Sequence, residues 1–199
     1  MEDPFTPVQA DEGSLDFTLM ARIAAGDHEA FRQLVERHQN AVIGTVAKML
    51  GNPSDAEDIA QQVFLRIWCN AKRYHPDAKF TTYIFTITRH LVFNETRRRS
   101  RKKEVSSDAH EDHSNYLLED RPDRHPDAEL LQAELQQAVD AAIASLPEVQ
   151  RMAVVLRRYE QLSYEEIAEV LKLTVSAVKS LLFRARATLR DRMRGYLDD

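Results

Sequence analysis

SYEEIAEVLKLTVSAVKSLLFRARATLR, residues 163–190, reads as two short amphipathic helices joined by a tight break. Ser163 followed three residues later by Glu166 is a capping box, each side chain placed to bond the other's backbone amide. A helix is therefore predicted to start there and to run through Ile167, Val170 and Leu171. Thr174 is placed to cap a second helix. In it Val175, Val178, Leu182, Ala185 and Leu189 recur at spacings of three and four, which predicts one narrow arc facing a core. Ser176, Ser180, Phe183, Arg184 and Ala187 fall on the opposite side, with Lys179 and Arg190 flanking. Hydroxyl, cationic and aromatic groups carried outward on the second of two such helices suit base-edge and phosphate contacts in a major groove. An ordinary helical hairpin with a solvated basic face is the plainer reading, but it explains Phe183 poorly.

The composition extends the helical reading to the whole chain. The 199 residues include only five glycines, and the seven prolines avoid every periodic stretch: Pro53, Pro76 and Pro147 fall between helical patterns, and Pro4, Pro7, Pro122 and Pro126 in a tail and a linker, as expected of a residue excluded from helix interiors. The predicted fold class is all-α, with two small helical domains. No apolar run approaches the roughly 18 residues needed to span a bilayer, and MEDPFTPVQADEG is acidic rather than a basic-plus-apolar export signal, so a cytoplasmic protein is expected. Cys69 is the single cysteine; it is expected to be buried in an apolar helix, without redox chemistry.

The net charge of −5 hides a segregation that matters more. Residues 89–103 carry seven cations against Glu95, +6 net, and residues 172–194 carry seven against Asp191, again +6. Between them residues 104–128 hold eight acids and two arginines, −6. With Pro122 and Pro126, that stretch reads as a flexible acidic linker between two basic-tipped domains. The expected organisation is a tail over 1–15, a first domain over 16–103, the linker over 104–128, and a second domain over 129–199.

In the first domain Gly26-Asp27 breaks a short helix from a longer one carrying Phe31, Leu34, Val35, Val42, Val46 and Leu50, which Gly51-Asn52-Pro53-Ser54 ends. The next helix, from Asp55 to about Asn70, is predicted to turn Ile59, Ala60, Val63, Phe64 and Ile67 inward and Asp58, Gln61 and Leu65 outward. A leucine among polar groups suggests a docking face, against the alternative of a solvated surface with one stray leucine. A helix from about Phe80 to Arg99 follows, with a core stripe of Phe80, Tyr83, Ile84, Ile87 and Leu91. Its other face places Phe85, Arg89, Phe93 and Arg97 at successive intervals of four, before RRRSRKK. Rings alternating with guanidinium groups along an exposed line are what single-stranded nucleic acid binds; packing of those rings on a neighbouring helix is the alternative.

Taken together, from about Asp16 to Met193, these pieces resemble the small two-domain bacterial sigma factors of the extracytoplasmic-function (ECF) group. GDHEAFRQLVERHQ looks like the start of sigma region two, and DAEDIAQQVFLRIW like its polymerase-gripping helix. The resemblance implies that Asp55, Asp58, Gln61 and Leu65 contact core RNA polymerase, at the coiled coil of its largest subunit, with the flap as a second contact. YHPDAKFTTYIFTITRHLVFNETRRR resembles the family's minus-10 reader and melting segment. By that match Lys72, Tyr74, Lys79, Phe80, Phe85, Arg89, His90, Phe93, Asn94 and Arg97 would meet single-stranded promoter DNA, melted bases entering the loop Lys72 to Phe80. Tyr83 stands where members commonly have tryptophan, and His90 where they have asparagine. The tail from Ala144 to Leu189 is similar to region four, which reads the minus-35 duplex; Ser176, Lys179, Ser180, Phe183, Arg184 and Arg186 would make those contacts. Lys172 takes a turn position where relatives usually carry glycine, at a backbone cost if φ is positive. Leu181 replaces a frequent arginine. The acidic linker occupies the place of region three.

The implied activity is binding rather than catalysis: docking on core polymerase and directing it to a promoter, with no cofactor and no metal, under control of an anti-sigma partner and without membrane insertion. A conventional helix-turn-helix regulator with an N-terminal interaction domain is the rival reading. A metal-dependent hydrolase built on His110, His113 and His125 is a remote one, since those histidines lie in the acidic linker with nothing to fix ligand geometry.

Overall fold

The computed structural model describes residues 9–75, 77–105 and 126–197. Among them all regular structure is helical. Helix α1 (Gln9–Ala24) is followed by α2 (His28–Leu50), α3 (Pro53–Asn70), a single 3₁₀ turn over Ala71–Arg73, and α4 (Phe80–Val105). The second module comprises α5 (Pro126–Ala144), α6 (Glu148–Arg158), α7 (Tyr164–Leu171), α8 (Val175–Arg192) and a final turn, α9 (Arg194–Leu197).

The breaks between helices are made by local chemistry. Gly26 takes φ +92°, and Asp27 beside it caps α2 by accepting from the amides of Glu29 and Ala30 at 2.9 and 3.0 Å. These bonds, the one from Ala30 foremost, hold the Asp27 carboxyl below its usual range. Gly51, at φ +71°, closes α2 in the left-handed conformation that glycine adopts without steric cost. Asn52 then caps α3 through the Ser54 amide, with Pro53 in the first turn. The capping box of α7 is complete: Glu166 N–H donates to Ser163 Oγ at 3.1 Å, and Ser163 N–H to Glu166 Oε2 at 2.7 Å. Thr174 caps α8 through the Ala177 amide.

Three boundaries differ from expectation. Helix α1 begins at Gln9, inside the predicted 1–15 tail, α4 runs on to Val105, past Arg99 and into the predicted 104–128 linker, and α5 begins at Pro126, inside that same linker. Proline is favoured at a helix start, where its missing N–H costs nothing. Residues 106–125, which hold most of the acidic linker together with His110, His113 and His125, lie outside the described residues. Cys69 is exposed rather than buried: two residues beyond buried Ile67 it has turned about 200° away from the core stripe.

The apolar stripes meet in one continuous core. Ile59, Ala60, Val63, Phe64 and Ile67 are all buried, as are Val178, Leu182 and Ala185. The two modules are packed together, with α4 running along α7, and α2 along α5 and α6. That arrangement decides the accessibility of every candidate DNA contact.

Candidate nucleic-acid interface

Helix α8 presents its outer face to solvent. Ser176, Lys179, Ser180, Phe183, Arg184 and Arg186 are all exposed, and Phe183 has 73% of its surface free. Leu181 is half-buried, at the margin of that face. The helix is aimed by the turn before it, in which Lys172 adopts φ +56° and ψ +49°. Its N–H donates to the Glu169 carbonyl at 3.2 Å and that of Leu173 to the Ala168 carbonyl at 2.9 Å, the bonding of a Schellman cap. The geometry therefore demands the left-handed residue that glycine would supply, and lysine stands there under strain.

On α3, Asp58, Gln61 and Leu65 share an exposed face, and Leu65 is 58% exposed. Asp55 stands slightly apart, its carboxylate paired with Arg99 of α4. The same arginine reaches Glu95 at 3.0 Å, and Arg98 reaches it at 2.7 Å. These partners, Arg98 first, hold the Glu95 carboxyl below its usual range. Part of the basic run at the end of α4 is thus tied into the protein, leaving Arg97, Arg101 and Lys102 exposed.

The proposed single-strand contacts do not form one open surface. Lys72, Lys79, Asn94 and Arg97 are exposed, and Tyr74, Arg89, His90 and Phe93 half-buried. Phe80 and Phe85 are buried, each 3% exposed. For Phe80 the reason is its membership of the core stripe: its ring lies 5.0 Å from His38 and 6.2 Å from Tyr74. Tyr74, itself 5.0 Å from Tyr83, pins the loop onto the helix, and burial pushes its hydroxyl pKa up.

Phe85 corrects the expectation of an exposed aromatic line, for a different reason. At about 100° per residue, Thr82, Phe85, Arg89, Phe93, Thr96 and Ser100 share a stripe roughly opposite the one made by Phe80, Ile84, Ile87 and Leu91. At its head, Thr96 and Ser100 line a pocket of about 570 Å³ together with Glu148 of α6. At its foot, Lys79 is paired with Glu166 of α7 at 3.0 Å. Fully buried Thr88 and Val92 lie between the two stripes, so the buried arc of α4 runs on from Leu91 to Phe85, and the helix packs against α2, α3 and α7. Arg89 lies with its guanidinium 5.8 Å from the Phe93 ring, and its Nε is buried without a partner. Burial lowers the pKa of Arg89, and that of His90 beside it, where Arg89, Lys172 and Arg66 add repulsion. Thr82 Oγ1, on the same stripe, is likewise buried without a partner.

Several residues that hold the modules together carry no signal in the sequence. Thr45 of α2, fully buried, donates its hydroxyl to Glu160 at 2.9 Å. Burial raises the Glu160 pKa, against the opposing pull of that bond and of Lys48. Arg151 of α6 donates to the Met49 carbonyl at 2.8 Å and to Leu146 at 3.1 Å, and also bonds Ala144. Lys48 lies 4.3 Å from the Tyr159 ring centre and 3.7 Å from Asp140. The pairs that reach from α2 to the second module join residues far apart in the chain, so no local pattern announces them.

An all-α chain with a helix-turn-helix whose outer face carries exposed hydroxyl, cationic and aromatic side chains is the class that the fold defines. Comparison with known proteins places it further. Sigma-70 region 2 matches residues 34–102, and Sigma-70, region 4 matches residues 136–189. The chain is 31% identical over 178 residues to the RNA polymerase sigma-H factor of Pseudomonas aeruginosa, covering 87% of this chain and 91% of that one. It is 31% identical over 180 residues to the ECF RNA polymerase sigma-E factor of Haemophilus influenzae, covering 89% and 95%. The fold is also that of CnrH, solved with the cytosolic domain of CnrY (24% identity, TM-score 0.65, covering 91% of this chain and 98% of that one). It matches as well the Bartonella quintana sigma factor RpoE, solved with the anti-sigma factor NepR (21% identity, TM-score 0.69, covering 82% and 96%). The chain belongs to the ECF group of RNA polymerase sigma factors, which are transcription initiation factors.

Proposed function

We propose that this chain divides promoter recognition between its modules as the sigma architecture suggests. The first module, 16–103, docks on core RNA polymerase through Asp58, Gln61 and Leu65, with Asp55 at the edge. The same module holds the melted minus-10 strand along Lys72, Tyr74, Lys79, Arg89, His90, Phe93, Asn94 and Arg97, with Phe80 and Phe85 buried behind them. The second module, 129–199, reads minus-35 duplex through Ser176, Lys179, Ser180, Phe183, Arg184 and Arg186. The observation that carries this reading is the outer face of α8, where a 73% exposed phenylalanine sits among exposed hydroxyl and cationic side chains on a capped, rigid helix. No chemistry is required of the chain: catalysis belongs to the polymerase, and the site of action is the cytoplasm, where the polymerase is. Among the described residues no helix is long and apolar enough to cross a membrane. Its partners are core polymerase and promoter DNA, and, by analogy with the solved relatives, an anti-sigma factor that withholds it.

Run-off transcription tests the reading. Core polymerase lacking any other sigma factor, supplied with this chain and genomic fragments, is expected to start discrete transcripts. A chain that binds promoter fragments tightly by itself and yields no transcript with core enzyme defeats it. Since each module offers only a few cations to phosphate, DNA binding by the free chain should be weak, with a salt dependence set by that small number of contacts.

A further inference from the structure

Resting on the reading that Lys72 and Tyr74 meet the melted strand, we propose that Asp16 of α1, acting through His38 of α2, is a positioning residue for that part of the single-strand surface. Asp16 stands outside residues 34–102, where the region 2 match lies, and its side chain is only 5% exposed. A buried carboxylate is tolerated where its oxygens are satisfied. Here both are taken by consecutive residues of α2. Arg37 Nε donates to Oδ1 at 3.1 Å, and His38 Nε2 lies 3.0 Å from Oδ2.

The His38 ring in turn lies 5.0 Å from that of Phe80, the first residue of α4. Phe80 is 6.2 Å from Tyr74 and 6.1 Å from Tyr83, and the two tyrosine rings are 5.0 Å apart. All are tilted or edge-on, the attractive arrangement for aromatic pairs at such spacings. Helix α1 also packs on the turn Ala71–Arg73, from whose Ala71 carbonyl the Tyr74 amide takes its bond at 3.1 Å. The Asp16 charge adds to burial in raising the Tyr74 hydroxyl pKa, so the carboxylate lies within electrostatic reach of the phenol. Ring contacts alone fix a spacing but leave the imidazole free to turn; the bond to a buried carboxylate fixes its orientation. Asp16 thus holds His38, His38 seats Phe80, and Phe80 seats Tyr74. Asp58, Gln61 and Leu65 take no part in these contacts, so the pair acts on strand capture and not on docking.

The test uses the full chain. Asp16→Ala removes both bonds. Asp16→Asn keeps them without the charge, its amide oxygen accepting from Arg37 and its amide nitrogen donating to His38 Nε2. His38→Gln keeps a donor for Asp16 but removes the ring against Phe80, and as the milder change it carries the test should Asp16→Ala unfold. With helix content checked by circular dichroism, nitration of Tyr74 by tetranitromethane is read by mass spectrometry against exposed Tyr196. It should rise at least 3-fold in Asp16→Ala and His38→Gln and stay within 2-fold of the parent in Asp16→Asn. Opening of a promoter fragment found by run-off transcription is followed with core polymerase, as fluorescence of 2-aminopurine in the minus-10 non-template strand. It should fall at least 5-fold in the first two variants and be restored in Asp16→Asn. Affinity for core polymerase, by anisotropy of the labelled chain, should stay within 2-fold in all three.

Unchanged nitration or unchanged opening in the folded variants overturns the proposal. So does an equal loss of core affinity, which would make the pair a general support of the module. Asp16→Asn behaving like Asp16→Ala overturns it as well, by assigning the effect to charge rather than to the held ring. Run-off transcription by the parent chain is read alongside: failure there removes the strand-binding reading itself, whereas success there with opening unaffected by Asp16→Ala removes only the positioning role.

Discussion

Lys172 is the residue at which local chemistry and local geometry disagree most. Its φ of +56° lies in the left-handed region, which costs an L-residue with a Cβ about 1–2 kcal/mol. Glycine there would relieve that strain while giving back about 0.4–1 kcal/mol through its freer unfolded chain. Lys172→Gly is therefore expected to stabilise the protein by about 0.5–1 kcal/mol, seen as a rise in Tm of roughly 2–4 °C per kcal/mol in calorimetry. An unchanged or lower Tm would mean that the lysine side chain makes a compensating contact. Phe183 is the opposite case, since it is strained by nothing and packs on little. Phe183→Ala should leave folding stability within about 0.5 kcal/mol while weakening minus-35 duplex binding by the assembled polymerase about 10-fold. Its exposure was legible because helical periodicity alone turns position 183 about 140° from Val178 and about 100° from Leu182, off the core stripe. The burial of Phe85 was not, because α4 buries a wide arc from Phe80 through Thr88 and Val92 to Phe85, and the four-residue spacing of Phe85, Arg89, Phe93 and Arg97 does not report how far that arc extends.

At the scale of elements, helix ends were the most readable feature, since caps are local chemistry. The Ser163 and Glu166 box, the Asp27 and Thr174 caps, and the glycines at 26 and 51 all close or open helices where their side-chain chemistry requires. Ser163→Ala should cost about 1 kcal/mol, measured by urea unfolding. The Glu166 carboxylate keeps its bond from the residue-163 amide in that variant, so its pairing with Lys79 should survive the change. The composition of an element proved a poorer guide than its ends. The run from Arg97 to Lys103 reads as one block of positive charge, yet Arg98 and Arg99 are bound to Glu95 and Asp55. What remains for a phosphate backbone is a narrower set. Helix α4 likewise buries a wider arc than its apolar stripe predicts, Thr88 and Val92 carrying it from Leu91 round to Phe85.

For the whole molecule, the seam between modules is the feature that sequence patterns could least supply, and Glu160 is its most informative group. Burial raises the Glu160 pKa above the 4.5 of an exposed carboxyl, with the Thr45 bond and Lys48 only partly offsetting it. The folded state thus holds the proton more tightly than the unfolded one. It follows that the stability contributed by Glu160 is fully present below about pH 4.5 and is lost as pH rises through the folded value. Other carboxyls act in the reverse sense: Asp27, Glu29 and Glu95 are all lowered and favour folding as pH rises, so the parent chain's own profile mixes both. Comparison with Glu160→Gln isolates the term, because glutamine keeps an oxygen to accept the Thr45 hydroxyl while carrying no charge at any pH. The variant should be more stable than the parent at pH 7.5, with the gap closing as pH falls toward 4.5, followed by Tm in matched buffers. A pH-independent difference would place Glu160 in solvent and the seam apart. A gap that widens on acidification would mean that the ionised carboxylate is the favoured form, held by Lys48 rather than penalised by burial.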